Sequence, residues 1–325
     1  MKQLDDAAEG GAADNIAGTS VSRPPPRAEG RRTDRIPLGI LCMLSATIMF
    51  AGSAALSKWL IATYPIGEML FMRAAASLVA ASLIILPVTG LQVFRTKRLH
   101  DHLLRNISQS TAQTFIIIAF SMMPLASAIA ITFSAPLFAT ITAVIVLKET
   151  VGPVRWGALT VGFLGVLVVT SPGVNTFQIG SLFAIANAVL FGTVAVGVRR
   201  MAATESTATL LMHQMVMVTL FFTALLPFGW ITPASARDWA AMIVNGLANA
   251  AGQFLWTRAL HLAPASAVAP FNYFSLVWAI LLGFLVWGDL PSTTLLMGSA
   301  IVVGSGMFLL WHEARRRQSR ARAAD

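Results

Sequence analysis

The chain holds 325 residues, 56% of them hydrophobic and 11% charged, with a formal net charge of +9 and one cysteine. A soluble domain carries roughly 25% charged residues, so this composition excludes a water-soluble fold and makes the bilayer the default solvent. The lone Cys42 excludes an intramolecular disulfide and any dithiol redox role.

Residues 1–35 are rich in Ala, Gly, Asp and Arg, contain Pro24, Pro25 and Pro26, and lack an apolar period, which predicts a disordered tail. Segments of the roughly 20 apolar residues that a spanning helix needs then follow one another. In a first half, residues 36–170, they centre on Ile36 to Trp59, Ile66 to Val88, Leu103 to Met122, Leu125 to Leu147 and Val154 to Thr170. A linker at 171–178, with Pro172 and Gly173, leads to a second half, residues 179–312. Its spans centre on Ile179 to Val198, Thr207 to Gly229, Trp239 to Leu260, Ser266 to Trp287 and Leu295 to Trp311, and a basic tail follows at 313–325. The first span is too long for the apolar core of a cleaved signal and has a counterpart in the second half, so it is expected to be retained. The fold expected is an all-α integral membrane protein of ten transmembrane helices.

With the N-terminus placed inside, 20 Lys and Arg residues fall in the tails and inner loops, and only Lys58 and Arg237 in outer ones. That positive-inside bias predicts that both termini are cytoplasmic. The positive charge thereby reports orientation, and no nucleic-acid partner is needed to explain it.

The two halves repeat each other. Gln109, Gln113, Ala119, Pro124 and Glu149 recur 140 positions later as Asn249, Gln253, Ala259, Pro264 and Asp289, and Arg73 recurs as His213. Gly39, Phe50 and Lys58 recur one residue further on as Gly180, Phe191 and Arg199. Five spans per half is an odd number, so the second half enters the membrane from the opposite side and the repeats are inverted. Duplication of an apolar unit in this form is a signature of secondary transporters.

Polar groups inside spans face a helix partner or a wet cavity. The third span carries Asn106, Gln109 and Gln113 on one helical face and the eighth carries Asn245, Asn249 and Gln253. These stripes are expected to line one central space from opposite sides, or else to hydrogen-bond helices together. Arg73, inside the second span, needs an anionic or carbonyl partner, because burying a guanidinium there costs at least about 2.5 kcal/mol. It is a candidate anchor for a substrate carboxylate, or a structural cap on helix carbonyls. Glu68 lies five residues earlier, about 140° around the helix, and is poorly placed to pair with it. Glu68 and His213 are candidates for proton coupling.

Phe50, Asn272 and Tyr273 stand out among residues that could wall a substrate, while Pro136 and Pro270 interrupt the fourth and ninth spans where a gate would bend. Small residues in the fifth span (Gly157, Gly162, Gly165) and the tenth (Gly298, Gly304, Gly306) permit close packing, as scaffold or as a homodimer contact. Motifs for hydrolysis, metal binding or nucleotide phosphates are missing, so no catalytic residue, metal or cofactor is expected.

These residues resemble the drug/metabolite transporter superfamily, in particular proteins with two EamA repeats, over about residues 38–312. The likeness rests on the Arg73 position, the stretch Ala119 to Pro124 running into Ala126, Ser127 and Ala128, Pro136, the Leu147-Lys148-Glu149 end of span four, and Gly157 and Gly165. Ala259 to Pro264 with Ala265, Ser266 and Ala267 repeats it, except that Leu276 stands for Pro136 and Asp289 for Glu149. The resemblance implies a bacterial inner-membrane carrier, in lipid, that moves a small polar or zwitterionic metabolite by alternating access. Members of that superfamily carry amino acids, nucleotide-related compounds, riboflavin or S-adenosylmethionine, and it leaves import and export open. A passive channel or an intramembrane enzyme is the alternative class.

Overall fold

A computed structural model describes residues 35–148, 152–170, 179–202, 204–263 and 265–322. The N-terminal tail, the 171–178 linker, Glu149 and Pro264 therefore lie outside the described residues. Every element among those described is helical: α1 (Ile36–Leu60), α2 (Ile66–Thr89), α3 (Leu99–Met122), α4 (Leu125–Thr132), α5 (Ala135–Leu147), α6 (Pro153–Thr170), α7 (Ile179–Met201), α8 (Thr207–Thr223), α9 (Ala236–Leu262), α10 (Ala265–Val268), α11 (Phe274–Trp287) and α12 (Thr293–Arg322). These form ten spans, because α4 and α5 make up the fourth and α10, a 3-10 segment at Ala269–Tyr273 and α11 make up the ninth. α12 runs on through the start of the basic tail to Arg322.

The broken spans have local causes. In span four the chain tightens at Phe133 and Ser134, whose amides bond three residues back to Ala130 and Ile131, and Pro136 then sits in the first turn of α5, where its missing N–H costs nothing. In span nine, Leu276 replaces the proline and lies in regular helix, so the break moves upstream to Pro270. Both spans end on a left-handed residue, Lys148 at φ 52° and Gly288 at φ 71°. Glycine meets this requirement without strain, and the non-glycine Lys148 does not.

Packing follows the inverted repeat. α1 packs on α9 as α7 packs on α3, α11 on α1 as α5 on α7, and α2 on α9 as α8 on α3, with α2 against α8 and α6 against α12 on the pseudo-two-fold axis. A Cβ added at Gly165 would stand 2.9 Å from the Gly298 carbonyl oxygen, and one at Gly298 would stand 2.6 Å from that of Gly165. Spans five and ten therefore use these glycines to close on each other within one chain, which is the scaffold role. A dimer contact would need other faces of the two helices.

Seven helical segments are long and apolar enough to cross a membrane by themselves, and Thr293–Leu309 is a shorter apolar one. α3 and α9 are not among them, because they carry the amide stripes. The face that holds the start of α1 is called the terminal face below, and the opposite one the far face. At the far face Lys58 Nζ donates to the Met123 carbonyl (3.0 Å), lies 3.7 Å from Asp289 Oδ2 and sits 4.9 Å over the Trp287 ring. One ammonium thus ties α1 to the turn between spans three and four and to the end of span nine.

Candidate substrate site

Arg73, the candidate substrate anchor, meets Gln113 of the third-span stripe. Arg73 lies on α2 about 10 Å of helix rise from its far end, and its Nη2 donates to Gln113 Oε1 of α3 at 2.7 Å. α9 closes on α2 at this level because Gly246 has no side chain: a Cβ there would be 2.7 Å from the Arg73 carbonyl oxygen. One turn along α2, Ser77 donates to the Gly246 carbonyl (2.8 Å) and accepts from Asn249 (3.3 Å). The Arg73–Gln113 bond thus joins α2 to α3, and the Ser77–Asn249 bond one turn along joins α2 to α9 of the other half. Gln109, one turn from Gln113, is buried on the same stripe.

The remaining members of the stripes hold the bundle together. Asn245 is fully buried; its Oδ1 accepts from Ser53 (2.5 Å) and its Nδ2 donates to Ser57 (3.0 Å), fixing α9 to α1. Asn106 donates to the His102 carbonyl (2.7 Å) and lies against Met217 of α8. Asn245 and Asn106 are therefore taken up in packing, as the second of the two expectations for the stripes had it.

Other sequence candidates lie apart from Arg73. The Phe50 ring packs on Gly252 of α9, beside the half-buried Gln253. Tyr273 meets the Phe133 ring at 4.9 Å, and both line a small cavity with Pro136, Ser134, Ser305 and Gly306, between the two broken spans and the α6–α12 pair. Pro270 is in the adjoining 3-10 segment together with the half-buried Asn272. Glu68 is buried near the far face, where Oε2 accepts the Ile231 amide (2.8 Å). His213 lies toward the terminal face, stacked on His102 with ring centroids 4.4 Å apart, and its Nδ1 contacts the Thr209 carbonyl oxygen (2.9 Å). Glu205 approaches His102 Nε2 to 3.9 Å. The two proton-coupling candidates thus stand near opposite faces, neither beside Arg73.

Sequence reasoning missed Arg105 by counting it among loop charges. It is buried on α3, donating to Gln214 (2.6 Å) and to the Leu210 carbonyl (3.3 Å) of α8. The signal was available: Arg105 precedes Gln109 and Gln113 at helical spacing, and its repeat equivalent is Asn245.

A bundle of two inverted five-helix halves, with broken fourth and ninth spans and the part-buried Arg73 between polar helices, fits a carrier. The sequence profile of the EamA-like transporter family matches residues 37–171 and again 178–311. This chain belongs to the EamA-like transporter family. Within it, the chain is 29% identical to a riboflavin transporter of Vibrio cholerae, over 87% of this chain and 96% of the relative. It is 25% identical to an S-adenosylmethionine uptake transporter of Rickettsia conorii, over 85% and 94%. A pseudopaline exporter of Pseudomonas aeruginosa is 24% identical over 83% and 95%. A solved crystal structure superposes with a TM-score of 0.58, covering 87% of this chain and 99% of its own at 19% identity, so the two share a fold. The protein is accordingly a multi-pass membrane transporter.

Proposed function

We propose that this EamA protein is a secondary carrier of the bacterial inner membrane, with both termini cytoplasmic, for a small polar metabolite of vitamin or nucleoside character. The observation that carries this reading is the Arg73–Gln113 pair held deep between the inverted halves. An ionisable group at such depth is a functional-site hypothesis by default. Names of relatives at 25–29% identity, for riboflavin and S-adenosylmethionine, support the size and class of cargo. Arg73 grips the cargo, Gln109, Gln113, Asn249 and Gln253 orient it, and Phe50, Asn272 and Tyr273 form walls reached as the halves rock about the midplane. The bends at Pro136 and Pro270 let the gates move. Export is the second reading, favoured by the exporter among the relatives.

The test is an untargeted metabolite comparison of cells with and without the protein, followed by uptake of the leading compound with and without a proton uncoupler. Saturable uptake lost in Arg73→Ala supports the carrier. Flux that rises linearly with concentration and ignores Arg73→Ala would refute it in favour of a channel.

A further inference from the structure

The charge around the central pair narrows the class of cargo. Gln113 is the only hydrogen-bond partner of Arg73 among the described residues, although a guanidinium carries five N–H donors. Its Nε and Nη1 have no protein partner, yet they are not sealed into the core, and the side chain is only part-buried although it lies deep in the bundle. Carboxylates are absent from its neighbourhood: the ion pairs among the described residues are Lys58 with Asp289, Arg98 with Asp101, and His102 with Glu205, all toward one face or the other. Glu68 is turned to the Ile231 amide. Along α3 the same stripe continues through Gln109 to Arg105, which is also without a carboxylate and is held by an amide and a carbonyl. Its counterpart stripe on α9, Asn245, Asn249 and Gln253, is neutral. Among the described residues, neither guanidinium therefore has a carboxylate within ion-pair distance, and the acids Glu68 and Glu205 are engaged by the Ile231 amide and by Thr96 and His102.

We propose that Arg73 receives a planar pair of acceptor oxygens or nitrogens on the cargo, a carboxylate or the carbonyl edge of a heterocycle, and that net-cationic solutes are excluded. The Gln113 carboxamide oxygen takes one of the guanidinium's donors, and the cargo's acceptors compete for it and take the others. Three physical facts combine here. A guanidinium has the fork geometry for two parallel hydrogen bonds. Its open donors remain unpaired in low dielectric until something accepts them. A cation approaching Arg73 meets like charge, and no described carboxylate is paired with that guanidinium to offset it. The inference rests on the carrier reading above and selects among the cargoes its relatives suggest, favouring a neutral, acceptor-rich flavin over a sulfonium compound.

The test uses the purified full chain in liposomes, loaded against a bacterial metabolite extract supplemented with riboflavin and S-adenosylmethionine, with the retained solutes sorted by net charge. Neutral and anionic solutes should accumulate over protein-free vesicles, S-adenosylmethionine should not, and Arg73→Gln should lower the accumulation at least tenfold. Gln113→Glu supplies a carboxylate that stays bound to Arg73. It should fold with a melting temperature at or above that of the unaltered protein and also lose at least tenfold in accumulation, whereas a merely structural Arg73 would leave transport untouched. Accumulation of S-adenosylmethionine, or Gln113→Glu transporting at the unaltered rate, overturns the charge assignment and leaves the carrier reading standing. No accumulation of any solute by monodisperse protein overturns both.

Discussion

Replacing Asn245 by Ala tests the structural half of the amide stripes. Asn245 and Ser57 are fully enclosed and Ser53 is 3% exposed, so the carboxamide exchanges its bonds with protein alone. Two side-chain bonds to oxygen disappear, from Ser53 Oγ at 2.5 Å and to Ser57 Oγ at 3.0 Å, with a weak third to Met69 Sδ at 3.5 Å. Interhelical bonds in membrane bundles average about 0.6 kcal/mol and reach about 1.7, so the pair contributes about 1–3 kcal/mol. The void left by the carboxamide pushes toward the upper figure. Ser53 retains the Asn245 carbonyl as a partner at 3.3 Å, which pulls toward the lower. At roughly 2–4 °C per kcal/mol the variant should melt about 2–12 °C lower, measured as loss of the monodisperse peak on size-exclusion chromatography after heating in detergent. Replacing Ser53 and Ser57 by Ala as well removes the stranded partners and should recover part of the loss. A shift below about 1 °C, less than one weak bond is worth, would refute the assignment of Asn245 as the tie between α9 and α1.

Gly298→Val puts a Cβ 2.6 Å from the Gly165 carbonyl and 2.7 Å from the Val169 amide, backbone atoms that cannot yield. It should cost at least about 1–3 kcal/mol and reduce the yield of monodisperse protein, whereas Gly157→Ala, with nothing within 4 Å, should be neutral or mildly stabilising. At the far face, the side chains of Lys58 and Asp289 are 14% and 32% exposed, so Asp289→Asn should cost less than about 1 kcal/mol. Lys58→Met should cost more, because the Met123 carbonyl also loses its donor; a double-mutant cycle by thermal melting separates the two terms. Tyr64, in the turn between α1 and α2, has its phenol pKa raised by burial first and by its hydrogen bond with Asp238 second. Its neutral form is favoured by folding, so the stability it supports holds below the unfolded value of about 10 and is lost as pH rises through the folded one. Melting of Tyr64→Phe followed from pH 8 to 11 should lack that alkaline fall, and an unchanged profile would refute the linkage.

The ten spans and their inversion could be read from the sequence because both depend on quantities a sequence holds directly, run length, charge placement and an offset of 140 residues. The meeting of Arg73 with Gln113 was legible as two costly groups that each needed a partner. Which amides would be consumed in packing was not, since helical periodicity assigns a residue to a face and not to the neighbour opposite it. Asn245 and Gln253 share one face of α9, yet Asn245 falls against serines of α1. His213 was equated with Arg73 by the repeat, but His102 and Phe94 around it are supplied by segments whose packing no offset reveals. The break in span nine was legible in Pro270 itself but not in the repeat alignment, because Pro270 acts six residues upstream of Leu276, through a 3-10 segment.

The polarity of α3 and α9 reaches back to the birth of the molecule. A helix enters the bilayer from the translocation channel only if its own residues favour lipid, and each central Arg opposes this by about 2.5–3.5 kcal/mol. α3, with Arg105, Asn106, Gln109 and Gln113, falls short of the apolarity of its neighbours. A nascent chain halted after Met122 should therefore leave α3 outside the membrane, and extension through Leu147 should draw it in as a hairpin with the apolar α4 and α5, a transition readable by glycosylation mapping of truncated chains. The helices that carry the amide stripes are thus the ones the cell must coax into lipid, and they take their places only after the apolar scaffold on either side of them has been laid down.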